Sequence, residues 1–187
     1  MKPLFYVVCF VLAMLTCNNQ SKKKAMQSQQ IYVCIPCGSA CDTAQYKNSG
    51  TCSHCSMELV KKSTITHSNV ELENLCSFIT KTGNKNVLLL DVRTPDEFEG
   101  KDEAKFGRLN HAINIPVQDL EKRINELAAY KKKQIIVYCS HSHRSPRASY
   151  MLSQNGFSKV TNMQGGMSVW KTKVKDEECN QNLYIRQ

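Results

Sequence analysis

The second half of the chain alternates short apolar runs with segments in which apolar residues recur at helical spacing. The apolar runs are short and rich in branched side chains, which predicts strands buried on both faces of a sheet. Four strands are predicted: Val87–Leu90, Ala112–Ile115, Gln134–Tyr138 and Val160–Thr161. Helical spacing marks two segments between them, through Val117, Leu120, Ile124 and Leu127 and at Arg147–Asn155. This alternation predicts an α/β fold with a parallel sheet flanked by helices.

A further helix is predicted just before the first of these strands. Ser68–Glu71 has the pattern of a capping box, which satisfies the free N–H groups of a helix start. Apolar side chains that share one face of this helix are Leu72, Leu75, Cys76 and Ile79. Cys76 is therefore expected to fill the core, and Gly83 with Asn84 is expected to end the helix.

Cys139 directly follows the strand Gln134–Tyr138, where ligands bind in parallel sheets. Ser145 suits the N-cap of the next helix, and Pro146 suits its first position. The helix dipole, Arg144 and Arg147 would then favour a thiolate at Cys139. The alternative interpretation is a buried cysteine that only fills space at a strand end.

The amino terminus has the features of an export signal. One lysine precedes an apolar run from Pro3 to Thr16, which is too short to span a membrane as a helix. Met14–Cys17 resembles the lipoprotein box of bacteria, so residues 1–16 are predicted to be a signal peptide and Cys17 the lipidated first residue. A plain cleaved signal is the alternative. Residues 17–30 are expected to form the anchor and a flexible polar tether.

The formal net charge of +9 raises the question of nucleic-acid binding. The lysines are scattered in pairs and triplets, and no aromatic residues interleave with them. We therefore expect no nucleic-acid partner, and assign the charge to a solvated or lipid-facing surface. The expected location is the bacterial cell envelope, lipid-anchored and facing the periplasm.

Residues 31–61 contain two Cys-x2-Cys pairs. Thiolates in such pairs converge on one tetrahedral ion, which predicts a small zinc-ribbon-like module holding zinc or another thiophilic metal. The predicted ligands are Cys34, Cys37, Cys52 and Cys55. In an oxidising compartment the same cysteines could instead form two disulfides. Cys41 and His54 receive no role.

The sequence around these pairs, Tyr32–Cys37 and Gly50–Val60, is similar to the short heavy-metal-binding domain of copper and silver efflux adaptors. Two positions depart from that family, since Cys37 replaces a histidine and Ser56 replaces a glycine. Four thiolates favour zinc, whereas Met57 would suit a soft monovalent ion.

The loop after Cys139 resembles the active-site loop of rhodanese-like domains, Cys-x-x-Gly-x-Arg-Ser. Cys139, Arg144 and Ser145 are in register, and Ser142 replaces the glycine. Three further segments resemble rhodanese motifs: Asp91–Phe98, Ala112–Pro116 and Gly165–Trp170. The resemblance covers Val87 to Trp170, with Gly107–Arg108 where the family commonly has Gly-His, and defines a domain at 68–171 followed by a polar tail at 172–187.

The resemblance implies a sulfurtransferase that needs no cofactor for sulfur transfer. The Cys139 thiolate would take sulfane sulfur from a donor such as thiosulfate or a persulfide and pass it to a thiol or to cyanide. Arg144 would be catalytic beside it. The residues expected to bind the donor are Ser140, His141, Ser142, His143 and Ser145. Asp91 and Arg93 are expected to pair within the scaffold.

Other interpretations remain open. Phosphatases on this fold use five residues between cysteine and arginine, whereas four separate Cys139 from Arg144, which disfavours that chemistry. A non-enzymatic soft-metal protein would use Cys139 with His141 and His143 as ligands, although the two histidines could equally be solvent-facing or assist acid-base steps. An inactive interaction module is a third possibility. Cys179 is expected to be free or bridged to Cys41 or Cys76.

Overall fold

The computed structural model describes residues 30–83, 87–175 and 177–187. The predicted signal peptide, Cys17 and most of the tether lie outside the described residues. Ile31–Gln187 form one compact unit. Among the described helices, none has both the length and the apolar character needed to cross a membrane.

Strands and helices alternate along the described chain. The strands are β1 (Tyr32–Val33), β2 (Gln45–Tyr46), β3 (Val60–Lys61), β4 (Ser68–Glu71), β5 (Val87–Asp91), β6 (Arg108–Leu109), β7 (Ile113–Asn114), β8 (Gln134–Tyr138), β9 (Val160–Gln164) and β10 (Tyr184–Ile185). The α-helices are α1 (Leu75–Thr82), α2 (Pro95–Glu99), α3 (Leu120–Arg123), α4 (Arg144–Gln154), α5 (Trp170–Lys173) and α6 (Glu178–Leu183). Tighter 3-10 turns lie at Ala40–Thr43, Lys62–Thr64, Leu72–Asn74, Ile124–Tyr130 and Met167–Val169.

The central sheet has five strands in the order β4-β9-β8-β5-β7, and all of its pairings are parallel. The predicted parallel α/β sheet is confirmed, and strands were correctly placed at all four apolar runs. The predicted helix from Val117 to Leu127 divides into α3 and the 3-10 turn Ile124–Tyr130.

Each face of the sheet carries its own apolar core, because successive side chains of a strand point to opposite faces. Leu88, Leu90 and Val137 pack with α3 and α4 on one face. Leu89 and Ile136 pack on the other face with side chains from α1 and α5. Cys139 continues the β8 alternation and falls in the first core, under the start of α4.

Ser68–Glu71 forms β4, so the predicted capping box is wrong. The segment pairs in parallel with Thr161–Gln164 of β9, and Val70 is buried in the second core. Strand pairing and burial of Val70 outweigh the local capping preference. Three residues separate the end of β4 from the start of the helix at Leu75, and the helix stops at Gly83 as predicted.

The tail beyond residue 171 folds back onto the domain. Cys179 of α6 forms a disulfide with Cys76 of α1, which selects one of the predicted pairings and corrects the expectation that Cys76 only fills the core. Tyr184 stacks on Trp170 with ring centroids 5.0 Å apart. Strand β10 pairs antiparallel with β6, so the polar tail adds a second small sheet to the domain.

The cysteine-rich segment forms a three-stranded antiparallel sheet of two-residue strands, in the order β2-β1-β3. Its interior consists largely of cysteine side chains, with Leu59 and the rings of Tyr32 and Tyr46. The 3-10 turn Lys62–Thr64 that follows the segment contacts α4, since the Thr64 hydroxyl lies 2.9 Å from the Tyr150 hydroxyl. Such a small apolar core needs additional cross-links for stability.

The turn after β9 packs directly against the loop that follows β8. Gly166 has φ +72° and ψ 179°, a backbone conformation that only glycine adopts without strain. A Cβ atom built on Gly166 would lie 2.2 Å from the carbonyl oxygen of Ser140. The close approach allows Met167 N–H to donate to the Cys139 carbonyl at 2.9 Å. Gly166 is therefore required by both conformation and space.

We predict that Gly166→Ala lowers the free energy of unfolding by about 3 kcal/mol or more, through backbone strain and the clash with Ser140. Gly156→Ala is the matched control, because Gly156 also has positive φ but nothing lies within 4 Å of its added Cβ. The control should cost about 1 kcal/mol. Urea unfolding of both variants measures the difference, and equal losses would contradict the close-packing argument.

Candidate active site and thiol cluster

Cys139 directly follows the strand β8 and is 1% exposed. Four residues carry the chain from Cys139 to Arg144, where α4 begins. The Cys139 Sγ lies 3.4 Å from Oγ of Ser145, in the first turn of that helix. The thiol therefore sits beside a helix N-terminus, where N–H groups and the helix dipole favour a negative charge.

The start of α4 differs from the prediction. His143 occupies the N-cap and makes no side-chain cap hydrogen bond, while Ser145 and Pro146 lie inside the first turn. Pro146 is tolerated there because the first N–H groups of a helix have no partner within the helix. Ser145 faces Cys139 instead of capping the helix, and its hydroxyl oxygen accepts a hydrogen bond from the Cys139 thiol.

Ser142 has a φ of +59°. This is the left-handed conformation expected of the glycine that rhodanese-like loops have at this position. A serine in this region of backbone space is strained, and the surrounding loop must hold it there. Its side chain is buried, and its Oγ has no hydrogen-bond partner among the described residues. A buried hydroxyl without a partner is a candidate donor for a bound anion.

Arg144 forms a two-pronged ion pair with Glu97, with both N···O distances at 2.6 Å. The hydroxyl of Ser140 donates to the same carboxylate at 2.8 Å. Hydrogen bonds from Arg144 hold the pKa of Glu97 well below its usual range. The same pair raises the pKa of Arg144, to which the nearby charge of Cys139 adds a smaller contribution.

Glu97 itself is fixed by its own helix. It forms a reciprocal capping box with Thr94 at the start of α2, with Thr94 N–H donating to the carboxylate at 3.0 Å. Glu97 lies in the rhodanese-like motif Asp91–Phe98, but the sequence alone assigned it no function. The Thr-x-x-Glu spacing was the available signal for the cap, whereas the contact with Arg144 comes from the fold.

Asp91 and Arg93 pair within the scaffold, as predicted. The guanidinium donates to both carboxylate oxygens of Asp91 at 2.7–3.0 Å, and both side chains are almost fully buried. Arg93 also donates to the carbonyl of Gly107 at 2.9 Å, which ties the end of β5 to the segment before β6.

The two loop histidines are both exposed. His141 packs edge-on against Phe106, with ring centroids 5.3 Å apart. His143 and Arg144 line a cavity of about 320 Å³ together with Arg147 and Met57. Within the described residues, neither histidine joins a metal-ligand group with Cys139.

A group of four thiols lies in the cysteine-rich segment, and we call it the thiol cluster. Its sulfur atoms all lie within 4.8 Å of one another: Cys34, Cys41, Cys52 and Cys55. Three of the predicted ligands are thus brought together. Cys37 is not in this set and is replaced by Cys41, because the 3-10 turn Ala40–Thr43 carries Cys41 into the module interior.

The thiol cluster fits a tetrahedral ion. With Zn–S bonds of about 2.3 Å, sulfur atoms in such a site are ~3.8 Å apart, so small adjustments would seat the ion. The sulfur atoms of Cys34 and Cys55 lie 3.1 Å apart. Amide groups of His54 and Cys55 lower the pKa of Cys52 to about 6, whereas burial raises the pKa of Cys41 to about 12. All four are free thiols in the structure.

Comparison with known proteins identifies the family of the domain that contains Cys139. A family model for the rhodanese-like domain matches residues 77–173. The uncharacterized protein YqhL of Bacillus subtilis is 38% identical over 95 residues, which are 51% of this chain and 69% of that protein. A rhodanese-related protein from Thermoplasma volcanium has a solved structure with 28% identity and a TM-score of 0.43, covering 56% of this chain and 90% of its own.

Other relatives are named for different reactions. A mitochondrial protein of Schizosaccharomyces pombe, whose name proposes thiosulfate sulfurtransferase activity, is 30% identical over 101 residues, 51% of this chain and 71% of that protein. The tRNA uridine(34) hydroxylase of Escherichia coli is 30% identical over 96 residues, 49% of this chain but 26% of the enzyme. The match to the family model takes in more than half of the chain, and this protein therefore belongs to the rhodanese-like family.

Proposed function

We propose that this chain is a sulfurtransferase that carries sulfane sulfur as a persulfide on Cys139. One observation carries the proposal: a buried thiol directly follows a parallel strand, beside the N-terminus of the eleven-residue helix α4 and the Ser145 hydroxyl. Such surroundings stabilise an anionic sulfur. The named relatives add support, because one of them carries sulfurtransferase activity in its name.

The proposed reaction has two covalent steps. The Cys139 thiolate attacks the outer sulfur of thiosulfate, the new S–S bond forms, and sulfite leaves with the electron pair of the broken bond. Cyanide or a thiolate then attacks the outer sulfur of the persulfide, and Cys139 leaves as the thiolate. No external oxidant, reductant or cofactor is needed, because each step exchanges one S–S bond for another bond to sulfur.

Several loop residues have proposed roles in these steps. Ser145 donates to the Cys139 sulfur when it is anionic, and the buried Ser142 hydroxyl is available to the bound donor. Ser140 is bonded to Glu97, which assigns it to loop positioning. The cavity beside His143 is lined by the guanidinium groups of Arg144 and Arg147 and by one carboxylate, Glu121, and this excess of positive groups suits the entry of an anionic donor.

The alternative of a soft-metal relay protein has weaker support at Cys139. That function would use Cys139 with His141 and His143 as ligands. The described residues contain two candidate metal-ligand groups, and both lie in the cysteine-rich segment. We therefore assign metal binding to that segment, with zinc or another thiophilic ion held by the thiol cluster, and sulfur chemistry to Cys139.

Intact-mass measurement of the reduced protein after thiosulfate treatment tests the sulfurtransferase proposal. We expect a gain of one sulfur atom that cyanide removes as thiocyanate. Cys139→Ser should show no gain, whereas Cys37→Ser, which changes another buried thiol, should gain sulfur normally. Sulfur bound equally by Cys139→Ser would contradict the assignment, and so would the absence of any adduct.

The pair between Glu97 and Arg144 should stabilise the loop in a pH-dependent way. Because the pKa of Glu97 is depressed from its ordinary value of 4.5, its contribution is fully present above that value. It is lost as the pH falls through the depressed pKa of the folded state. The Arg144 side chain would then no longer be held by Glu97 in the loop beside Cys139.

We predict that Glu97→Gln lowers the free energy of unfolding by about 2 kcal/mol near neutral pH and slows persulfide formation. The stability difference from the natural protein should be constant from about pH 6 to 8 and should shrink as the pH falls below 4.5. Glu126→Gln, in the exposed pair with Arg123, is the control and should change neither quantity. A difference independent of pH down to strong acid would contradict the ion-pair explanation.

We further propose that Cys17 is lipidated and holds the protein at the bacterial envelope, facing the periplasm, with small sulfur compounds and the membrane as partners and no nucleic acid. The apolar run before Cys17 supports this proposal. Mass spectrometry of the mature protein should find an acylated amino-terminal Cys17, and Cys17→Ala should leave the protein unacylated. An unmodified mature terminus at another residue would contradict lipidation.

A further inference from the structure

The cysteine-rich segment contains a second group of candidate ligands that overlaps the thiol cluster. Cys37, Cys41 and Asp42 place one ligand atom each within 4.8 Å of one another. Cys41 belongs to both groups. Five thiols therefore converge on a region where one tetrahedral ion would use four of them.

Burial supports a common role for these thiols. Cys37 is 4% exposed and Cys41 is 6% exposed, although both lie in a segment with few apolar side chains. A fifth buried thiol is not needed for a single zinc ion. Cys37 lies beside the Ser39 hydroxyl, with Sγ and Oγ 3.2 Å apart, so it is held in a defined position.

Asp42 fixes the backbone of this second group through hydrogen bonds. Its carboxylate accepts hydrogen bonds from the N–H groups of Cys37 at 3.0 Å and Gly38 at 2.7 Å. One carboxylate oxygen lies 3.7 Å from the Cys37 sulfur. Because its oxygens are committed to these amides, the ligands left for a second ion are the sulfurs of Cys37 and Cys41.

Soft monovalent ions match this arrangement better than zinc does. Cu(I) is selected by thiolates and is satisfied by two or three of them, whereas zinc takes four. Cys41 with two of the other thiol-cluster sulfurs would supply three thiolates to one ion, and Cys41 with Cys37 would supply two thiolates to the other. A sulfur shared between two ions would sit at the position of Cys41.

We propose that the five cysteines bind two Cu(I) ions bridged by the Cys41 sulfur, and that the same residues bind a single zinc ion. This inference rests on the metal-binding role proposed above for the segment. Each ion enters as Cu(I) and displaces thiol protons, so no electron is transferred. The Cys37 thiol is then a ligand specific to the copper-loaded form.

Metal counting on the full chain tests the proposal, with Cys139→Ser as the background so that the separate loop thiol does not contribute. The reduced protein is titrated anaerobically with Cu(I) or with zinc against a competing chelator. We expect two copper ions or one zinc ion per chain. X-ray absorption of the copper-loaded protein should contain a copper–copper scattering path, because a shared sulfur holds the two ions close together.

Three variants separate the roles of the residues. Cys37→Ser should bind one copper ion without the copper–copper path and should keep one zinc ion, which also shows that the segment remains folded. Cys41→Ser should lose the second copper ion and weaken zinc binding at least tenfold. His54→Ala changes an exposed neighbour and should leave both counts unchanged.

The possible failures are distinguishable. One copper ion in the unsubstituted segment, or two that persist in Cys37→Ser, would overturn the two-ion proposal while leaving metal binding in place. Failure to bind either metal would overturn the metal-binding role itself. Neither result bears on sulfur transfer, because Cys139 is absent from this experiment.

Discussion

The turn after β9 and the loop after β8 share one backbone contact that positions the sulfur chemistry. Gly166 approaches Ser140 so closely that no side chain fits, and this approach lets Met167 donate to the carbonyl of Cys139. On its other side the loop is held by Glu97, which bonds both Ser140 and Arg144. The strained backbone of Ser142 is kept between these two attachments. A loop fixed at both sides keeps its donors in place for the persulfide that we propose on Cys139.

The sheet could be predicted from the sequence because its central strands are buried on both faces. An apolar run such as Val87–Leu90 identifies a buried strand without knowledge of its neighbours. Ser68–Glu71 was misassigned because its strand character depends on pairing with β9, far along the chain, whereas its capping pattern is local. The Cys76–Cys179 disulfide is similar, since 103 residues separate its partners and spacing gives no means of choosing them.

The site was predictable in its chemistry and less so in its geometry. The Cys139 loop follows a strand end, so its position came from sequence and fold class together. The role of Glu97 could be recognised only from the fold, because its carboxylate on α2 meets Arg144 only when the two helices converge at the same edge of the sheet. The replacement of Cys37 by Cys41 among the cluster ligands also depends on the fold. Spacing identifies which cysteines are available, and a single 3-10 turn decides which sulfur enters the thiol cluster.

Among the described residues, the free cysteines fall into two chemical environments. In the thiol cluster, burial and neighbouring sulfurs raise the pKa of Cys34 and Cys41, so several thiolates are stable there only with a cation between them. Cys139 instead lies at a helix start with a hydroxyl beside it. A persulfide is also a good ligand for soft metals, so a metal bound at the carrier sulfur would block transfer. Met57 packs against the thiol cluster and also lines the cavity beside Arg144, so one side chain contacts both of the regions for which we propose metal binding and sulfur transfer.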